Sequence, residues 1–196
     1  MSRKFLMSAV VGAMFLSGCA GTAFVKTSDE QLTLGKTSES EIRQKMGTPY
    51  REGVVTKNEK QLKTLTYAYA NTGGDGSQPG VTAAKAQGFY IHQDKLAGYE
   101  FISSWKEDST DFDESKVAQI KKGVSTRSDV LKIMGPPSGK YIYPLIPNQD
   151  DEALVYAYNH VKGSAFNLKF YSKILVVSFS RQGVVTNVEY TSSGEK

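Results

Sequence analysis

Gly35-Lys36-Thr37-Ser38-Glu39-Ser40-Glu41-Ile42-Arg43-Gln44-Lys45-Met46-Gly47-Thr48-Pro49 returns in altered form as Gly123-Val124-Ser125-Thr126-Arg127-Ser128-Asp129-Val130-Leu131-Lys132-Ile133-Met134-Gly135-Pro136-Pro137. At an offset of 88 residues the glycine pairs, Ser40/Ser128, Met46/Met134 and Pro49/Pro137 are identical. Thr37/Ser125, Ser38/Thr126, Glu41/Asp129 and Ile42/Val130 are conservative matches. At an offset of 89, Leu65-Thr66-Tyr67-Ala68-Tyr69 meets Leu154-Val155-Tyr156-Ala157-Tyr158, and Tyr99-Glu100-Phe101 meets Val188-Glu189-Tyr190. Three blocks in one order at a near-constant offset indicate an internal duplication.

Each block has a physical reading. Ser38 with Glu41, and Thr126 with Asp129, form capping boxes: the hydroxyl accepts from an orphan helix amide while the acid reaches back to the cap. Ile42 with Met46, and Val130 with Leu131 and Met134, supply an apolar stripe on a helix of about three turns. Gly47 and Gly135 suit a left-handed helix end, and Pro49 and Pro137 block continuation. A shorter helical stretch precedes each, at Asp29–Leu32 and at Glu114–Lys121.

Beyond each helix the period changes from 3.6 to 2. Leu65, Tyr67 and Tyr69 alternate with smaller residues, as do Leu154, Tyr156 and Tyr158. Phe89–His92 and Ile174–Phe179 read as the next strands, Gln93–Gly98 and Ser180–Gly183 as turns, and Tyr99–Ser103 and Val185–Thr191 as third strands. The expected fold is α+β: two tandem helix-helix-strand-strand-strand repeats, each a small antiparallel sheet with helices on one face. The other face is left for solvent or a partner.

Outward from the repeats, Arg3 and Lys4 precede a short apolar run from Phe5 to Leu16, which ends in Leu16-Ser17-Gly18-Cys19. Such a run is short for a membrane span and suits a secretory signal. The tetrapeptide resembles the lipobox of bacterial lipoproteins. That resemblance implies cleavage before Cys19, a diacylglycerol on its thiol and acylation of its amine. Ala20 follows the cysteine, and by resemblance to Gram-negative lipoproteins it implies export to the outer membrane, facing the periplasm. Removing residues 1–18 leaves 178 residues and lowers the formal charge from +4 to +2. Lysines are scattered, so no nucleic-acid footprint appears. Cys19 is the one cysteine, so once it is lipidated no disulfide can form. The domain boundaries read as a signal peptide over 1–18, a tether over 19–28, repeats over 29–105 and 114–193, and an acidic linker over 106–113.

The helix-turn signature Ser115-Lys116-Val117-Ala118-Gln119-Ile120-Lys121-Lys122-Gly123-Val124-Ser125, then Asp129-Val130-Leu131 and Gly135-Pro136-Pro137, resembles the SmpA/OmlA (BamE-type) outer-membrane lipoproteins. It also resembles the secreted β-lactamase-inhibitor proteins, which carry the unit in tandem. The lipobox matches the first group and the duplication the second. The first resemblance implies protein–protein contact in outer-membrane assembly or envelope integrity. The second implies an inhibitor that holds an enzyme on its sheet face.

Catalytic chemistry has little support. His92 and His160 have no second ligand at metal spacing and read as surface or edge residues. Asp108, Asp111, Asp113 and Glu114, like Asp150, Asp151 and Glu152, read as solvated linker and loop. No phosphate loop or serine elbow occurs, and no cofactor, metal or catalytic residue is expected. Binding has two candidates. One is the glycine-rich connection Asn71–Gly88, which contains Asp75, with its counterpart Asn159–Lys173, which bears Phe166, Phe170 and Tyr171. The other is the tyrosine set Tyr67, Tyr69, Tyr156 and Tyr158, placed either at a partner surface or under the helices as core.

Overall fold

The computed structural model describes residues 21–164 and 166–195, with Ser164 described for its backbone alone. The expected signal peptide, Cys19 and Ala20 lie outside the described residues.

A 3-10 turn Asp29–Gln31 leads into α1 (Glu39–Met46), followed by β1 (Arg51–Lys57), β2 (Lys60–Asn71), β3 (Ala83–His92) and β4 (Lys95–Ser103). A second 3-10 turn Glu114–Gln119 leads into α2 (Arg127–Met134), then β5 (Gly139–Ile142), β6 (Glu152–Ser164), β7 (Asn167–Phe179) and β8 (Val185–Gly194). The helices start as their caps dictate. Ser38 Oγ accepts from the Glu41 amide while the Ser38 amide donates to Glu41 Oε2 at 2.7 Å, and Thr126 and Asp129 repeat both bonds. The glycines that end them sit at φ 78°, ψ −149° (Gly47) and φ 81°, ψ −163° (Gly135), beyond the expected left-handed helical region. Only glycine enters that territory at low cost.

The expected count of three strands per unit is corrected to four, and the two small sheets are one. All eight strands pair in chain order, each antiparallel to the next. β1 carries no period-2 signal because its sequence, Arg-Glu-Gly-Val-Val-Thr-Lys, shows no apolar alternation, and β5 carries none because it is four residues long. β5 is what joins the halves: Gly98, Tyr99 and Glu100 of β4 pair with Tyr141, Lys140 and Gly139. One row therefore runs across the whole sheet: Arg51, Thr66, Gly88, Glu100, Gly139, Val155, Val176, Glu189. The first member of each expected helix pair is a 3-10 turn.

Turns and loops are tighter than expected. Gln93 and Asp94 alone turn the chain between β3 and β4, with φ 51° and 60°, and Asn58 and Glu59 do the same between β1 and β2. Positive φ at both central residues is the primed hairpin geometry that matches strand twist. The connection read over Asn159–Lys173 is a continuous β6–β7 hairpin, with Lys162 still paired to Lys169. The glycine-rich connection shrinks to residues 72–82 and is held by both halves. The Thr82 amide donates to the Val161 carbonyl at 2.9 Å, the Gly163 amide to Gly80 at 3.2 Å, and the Ser77 amide to Ser104 at 2.7 Å.

Both helices cover the same sheet face. Ile42 packs with Leu65, Tyr67, Phe89 and Tyr99, while Val130 packs with Leu154, Tyr156, Leu175 and Phe179. A third cluster, with Tyr141, Ile146, Val155 and Ala157 at its centre and Tyr90, Ile102 and Val176 against it, lies on the helix-free face.

Candidate functional site

The residues alternate out of the pleat, so those that flank the buried rows point to the helix-free face. Across β2 and β3 they are small: Thr64, Thr66, Ala86 and Gly88. Small side chains leave a depression there, a cavity of about 350 Å³ also lined by Arg51, Val54, Tyr90, Glu100 and Ile102.

Glu100 is the chemical centre of that groove. It is buried, with the Tyr90 hydroxyl donating to Oε1 at 2.8 Å and the Tyr141 hydroxyl donating to Oε2 at 2.5 Å. Burial raises its pKa to about 7, against the two hydroxyl donors, which favour the anion and pull it down. Burial also raises Tyr90 and Tyr141, helped by the Glu100 charge, so both stay protonated donors. The arrangement can hold a carboxyl in either charge state near neutral pH, and it can meet a donor or a cation from a partner. The sequence reading passed over Glu100. Its signal was an acid inside the apolar strand Tyr99-Glu100-Phe101, where an unpaired charge would be costly.

The tyrosine set divides. Tyr67 is buried and donates to the Gly47 carbonyl at 3.0 Å, and Tyr156 donates to the Gly135 carbonyl at 3.0 Å. Each satisfies a carbonyl at the C-terminus of its own helix. Tyr158 is buried, with its hydroxyl 2.8 Å from Ser77 Oγ, which pins the glycine-rich loop to the second half. As partner contacts these three are corrected to core, because their rings lie on the helix-covered face. Tyr69 is half-buried and stacks on Trp105 at 6.0 Å between centroids. Asp75 is exposed in the loop, where its carbonyl accepts from the Lys106 amide at 2.9 Å.

The acidic linker keeps contact with water, with Asp111 and Asp113 exposed, but its carboxylates are tied to the fold. Asp111 and Glu114 bridge to Lys173 at 2.6 Å and 2.7 Å, Asp108 accepts from Ser103, and Asp113 caps the second 3-10 turn. The Lys173 side chain is 5% exposed; burial alone would lower its pKa, but the two carboxylates outweigh that and hold it raised. In the second acidic run Asp151 is also buried and accepts from Thr186 at 2.5 Å.

His92 Nδ1 lies 3.2 Å from the Gln61 carbonyl, while His160 is not a surface residue. It is 6% exposed, packed between Tyr158 and Tyr171, and burial lowers its pKa. Among the described residues no three of His, Cys, Asp and Glu gather where they could hold a metal ion, and no helix is long and apolar enough to cross a membrane.

A second cavity of about 570 Å³ opens on the helix-covered side at the junction of the halves, lined by Lys26, Asp29, Tyr99, Asp111, Pro137 and Tyr156 among others. The chain entering from the N-terminus forms one wall. Buried Gln87 holds it, accepting from the Thr27 amide at 2.9 Å and donating to the Thr27 carbonyl at 3.0 Å.

Residues 110–189 match the family model of the outer membrane protein assembly factor BamE domain. The BamE-type resemblance carried by the helix-turn signature is therefore shown for the second half of the chain. No curated protein matches. Among solved structures, the proposed beta-lactamase inhibitor protein from Streptococcus mutans is similar at a TM-score of 0.41 and 11% identity, covering 83% of this chain and 91% of that one.

Proposed function

From the BamE-type domain matched by residues 110–189, we propose that this protein is a non-catalytic envelope factor that works by binding other proteins at the outer membrane. In this reading the first half, residues 29–105, is a second BamE-like unit fused to the first. Cys19 carries the acyl anchor, and the chain faces the periplasm. The match itself is the observation that carries the reading.

The contact surface is the helix-free sheet face, centred on the groove around Glu100. Both helices lie on the opposite side, so this face combines apolar area with one buried carboxyl and two tyrosine donors. Such a mixture of apolar area and anchored polar groups suits a protein interface. Asp75, in the loop beyond the open end of β2, stands as a candidate rim contact, while Tyr69, which alternation puts on the same side as Tyr67, stands as a candidate contact on the helix-covered side.

Crosslinking in intact cells followed by purification tests both parts. Components of β-barrel assembly should be recovered with the wild-type chain and lost with Thr66→Arg, which fills the groove from a half-buried position. Recovery of a single hydrolase in their place would overturn the assembly reading. Cys19→Ser should release the protein from membranes, and continued fractionation with the outer membrane would overturn the anchor.

A further inference from the structure

One end of the sheet gathers features that the groove does not use. Chain direction puts the end of β2, the start of β3, the end of β4, the β6–β7 turn and the end of β8 there together. Gly21 bridges to Tyr69 at this same end, so only Ala20 separates the described chain from Cys19. Two residues span at most about 7 Å, which keeps any group on Cys19 close to that end.

The β6–β7 hairpin reaches past it. Tyr69 and Asn159 line one pocket and so lie level, and Asn159 pairs with Ser172. Leu168 stands four residues further along β7, roughly 13 Å at strand rise. β8 pairs as far as Gly194 opposite Tyr171. Beyond it the Glu195 amide donates to the Phe170 carbonyl at 2.9 Å and the Glu195 carboxylate bridges to Lys169 at 2.7 Å, which leaves Leu168 and Phe166 as the part of the tip past β8 among the described residues. Its side chains are sorted. Phe170 pairs with Val161 and Leu168 with Gly163 on one face, while Lys162 pairs with Lys169 on the other. Phe166 is 100% exposed, Phe170 62% and Leu168 48%. In water, apolar area of this size gathered on one projecting hairpin indicates an interaction surface.

We propose that the β6–β7 hairpin tip inserts into the bilayer, with Phe166, Leu168 and Phe170 in the interfacial layer and Lys162 and Lys169 at headgroup level. This rests on the reading that Cys19 carries the acyl anchor. The described chain begins at Gly21, at the end of the sheet from which the tip projects, so a bilayer that holds a lipid on the nearby Cys19 meets the tip. An amphipathic element with lysines on its polar side is suited to that layer. Insertion would give the lipoprotein a second point of attachment and fix its tilt, so that the helix-free face stands at a set angle to the membrane.

The test uses the lipidated full chain in phosphatidylethanolamine–phosphatidylglycerol vesicles, with and without brominated acyl chains. Phe166→Trp adds a reporter to the single native Trp105, whose emission is measured separately in the wild type. The added emission should shift to the blue and be mostly quenched by the brominated chains, and Leu168→Asp with Phe170→Asp should abolish that quenching. Co-flotation with vesicles reports the anchor separately. Flotation with an unquenched, water-like signal from the added tryptophan would overturn insertion and leave the anchor standing, and it is also the outcome if the tip binds a protein. Failure to float would overturn the anchor and insertion together.

Discussion

Gly88 on β3 is the registered cross-strand partner of Glu100 on β4, and a Cβ built on Gly88 would lie 3.1 Å from Glu100 Oε1. On the other side of Glu100 stands Gly139, where a Cβ would lie 2.0 Å from the Tyr99 carbonyl oxygen and 2.7 Å from the Glu100 Cα. The two glycines give the buried carboxyl its room, but they differ in what blocks substitution. Opposite Gly88 the obstacle is a side chain held by two hydroxyls, which can yield by a few tenths of an ångström. At Gly139 it is backbone, and yielding means separating β4 from β5, the strand pair that carries the sheet from one half to the other. Gly88→Ala should cost about 1 kcal/mol and Gly139→Ala about 3 kcal/mol or more in urea unfolding. Equal costs would show that β4–β5 pairing does not limit the fold.

The Glu100 carboxyl should also make stability depend on pH. Its folded pKa near 7 lies above its ordinary value of 4.5, so the folded state binds the proton more tightly. The contribution is fully present below about pH 4.5 and is lost as pH rises through 7, amounting to about 3 kcal/mol. His160 acts in the opposite sense: burial lowers its pKa, so its contribution fades as pH falls below 6.5. Glu100→Gln removes the first effect and keeps the second. Between pH 5 and pH 8 the wild type should therefore lose stability relative to the variant. Parallel curves in chemical denaturation would rule out a shifted Glu100.

Tyr67 and Tyr156 make the same bond in the two halves, each to the carbonyl of the glycine that ends its helix. Replacing either with Phe removes one buried hydrogen bond and leaves the ring in place. Each change should cost about 1 kcal/mol, with near-additive loss in the double variant because the sites share no partner. Partner recovery after crosslinking should be unchanged. Loss of partner from a variant of normal stability would return these tyrosines to the interface.

These cases mark what the sequence could disclose. The caps at Ser38 and Thr126 are local, three residues from hydroxyl to acid, so they were legible without the fold. The strand alternation around Tyr67 and Tyr156 was legible too, but not which face the rings take, since period 2 states only that the faces differ. Glu100 sits against Tyr141, 41 residues away, and Lys173 against Asp111, 62 residues earlier. Such pairs exist only after register is set. The same holds for residues 72–82, whose glycines suggested freedom until the edge of β6 supplied partners at Val161 and Gly163. β5 hid because four residues carry too little pattern.

Lys173 ties β7 to the segment between the halves. Its ammonium meets Asp111 at 2.6 Å, Glu114 at 2.7 Å and the Phe112 carbonyl, and it lies 4.6 Å from the centroid of the Phe112 ring. Breaking a buried ion pair from one side usually costs about 3–5 kcal/mol because a charge is stranded. Here the stranded groups would be two partly exposed carboxylates that water can reach, so Lys173→Met should cost less, about 2 kcal/mol. The exposed pair Arg181–Asp150, at 2.5 Å, supplies the contrast. Arg181→Ala should change stability by less than about 1 kcal/mol, and its effect should vanish in high salt. The Lys173 effect should persist there. Hydrogen exchange locates the loss: amides of residues 110–114 should lose protection in Lys173→Met while those of α2 keep theirs. Unchanged protection over 110–114 would mean that Phe112 packing alone holds the segment, with the ion pairs contributing nothing to its placement.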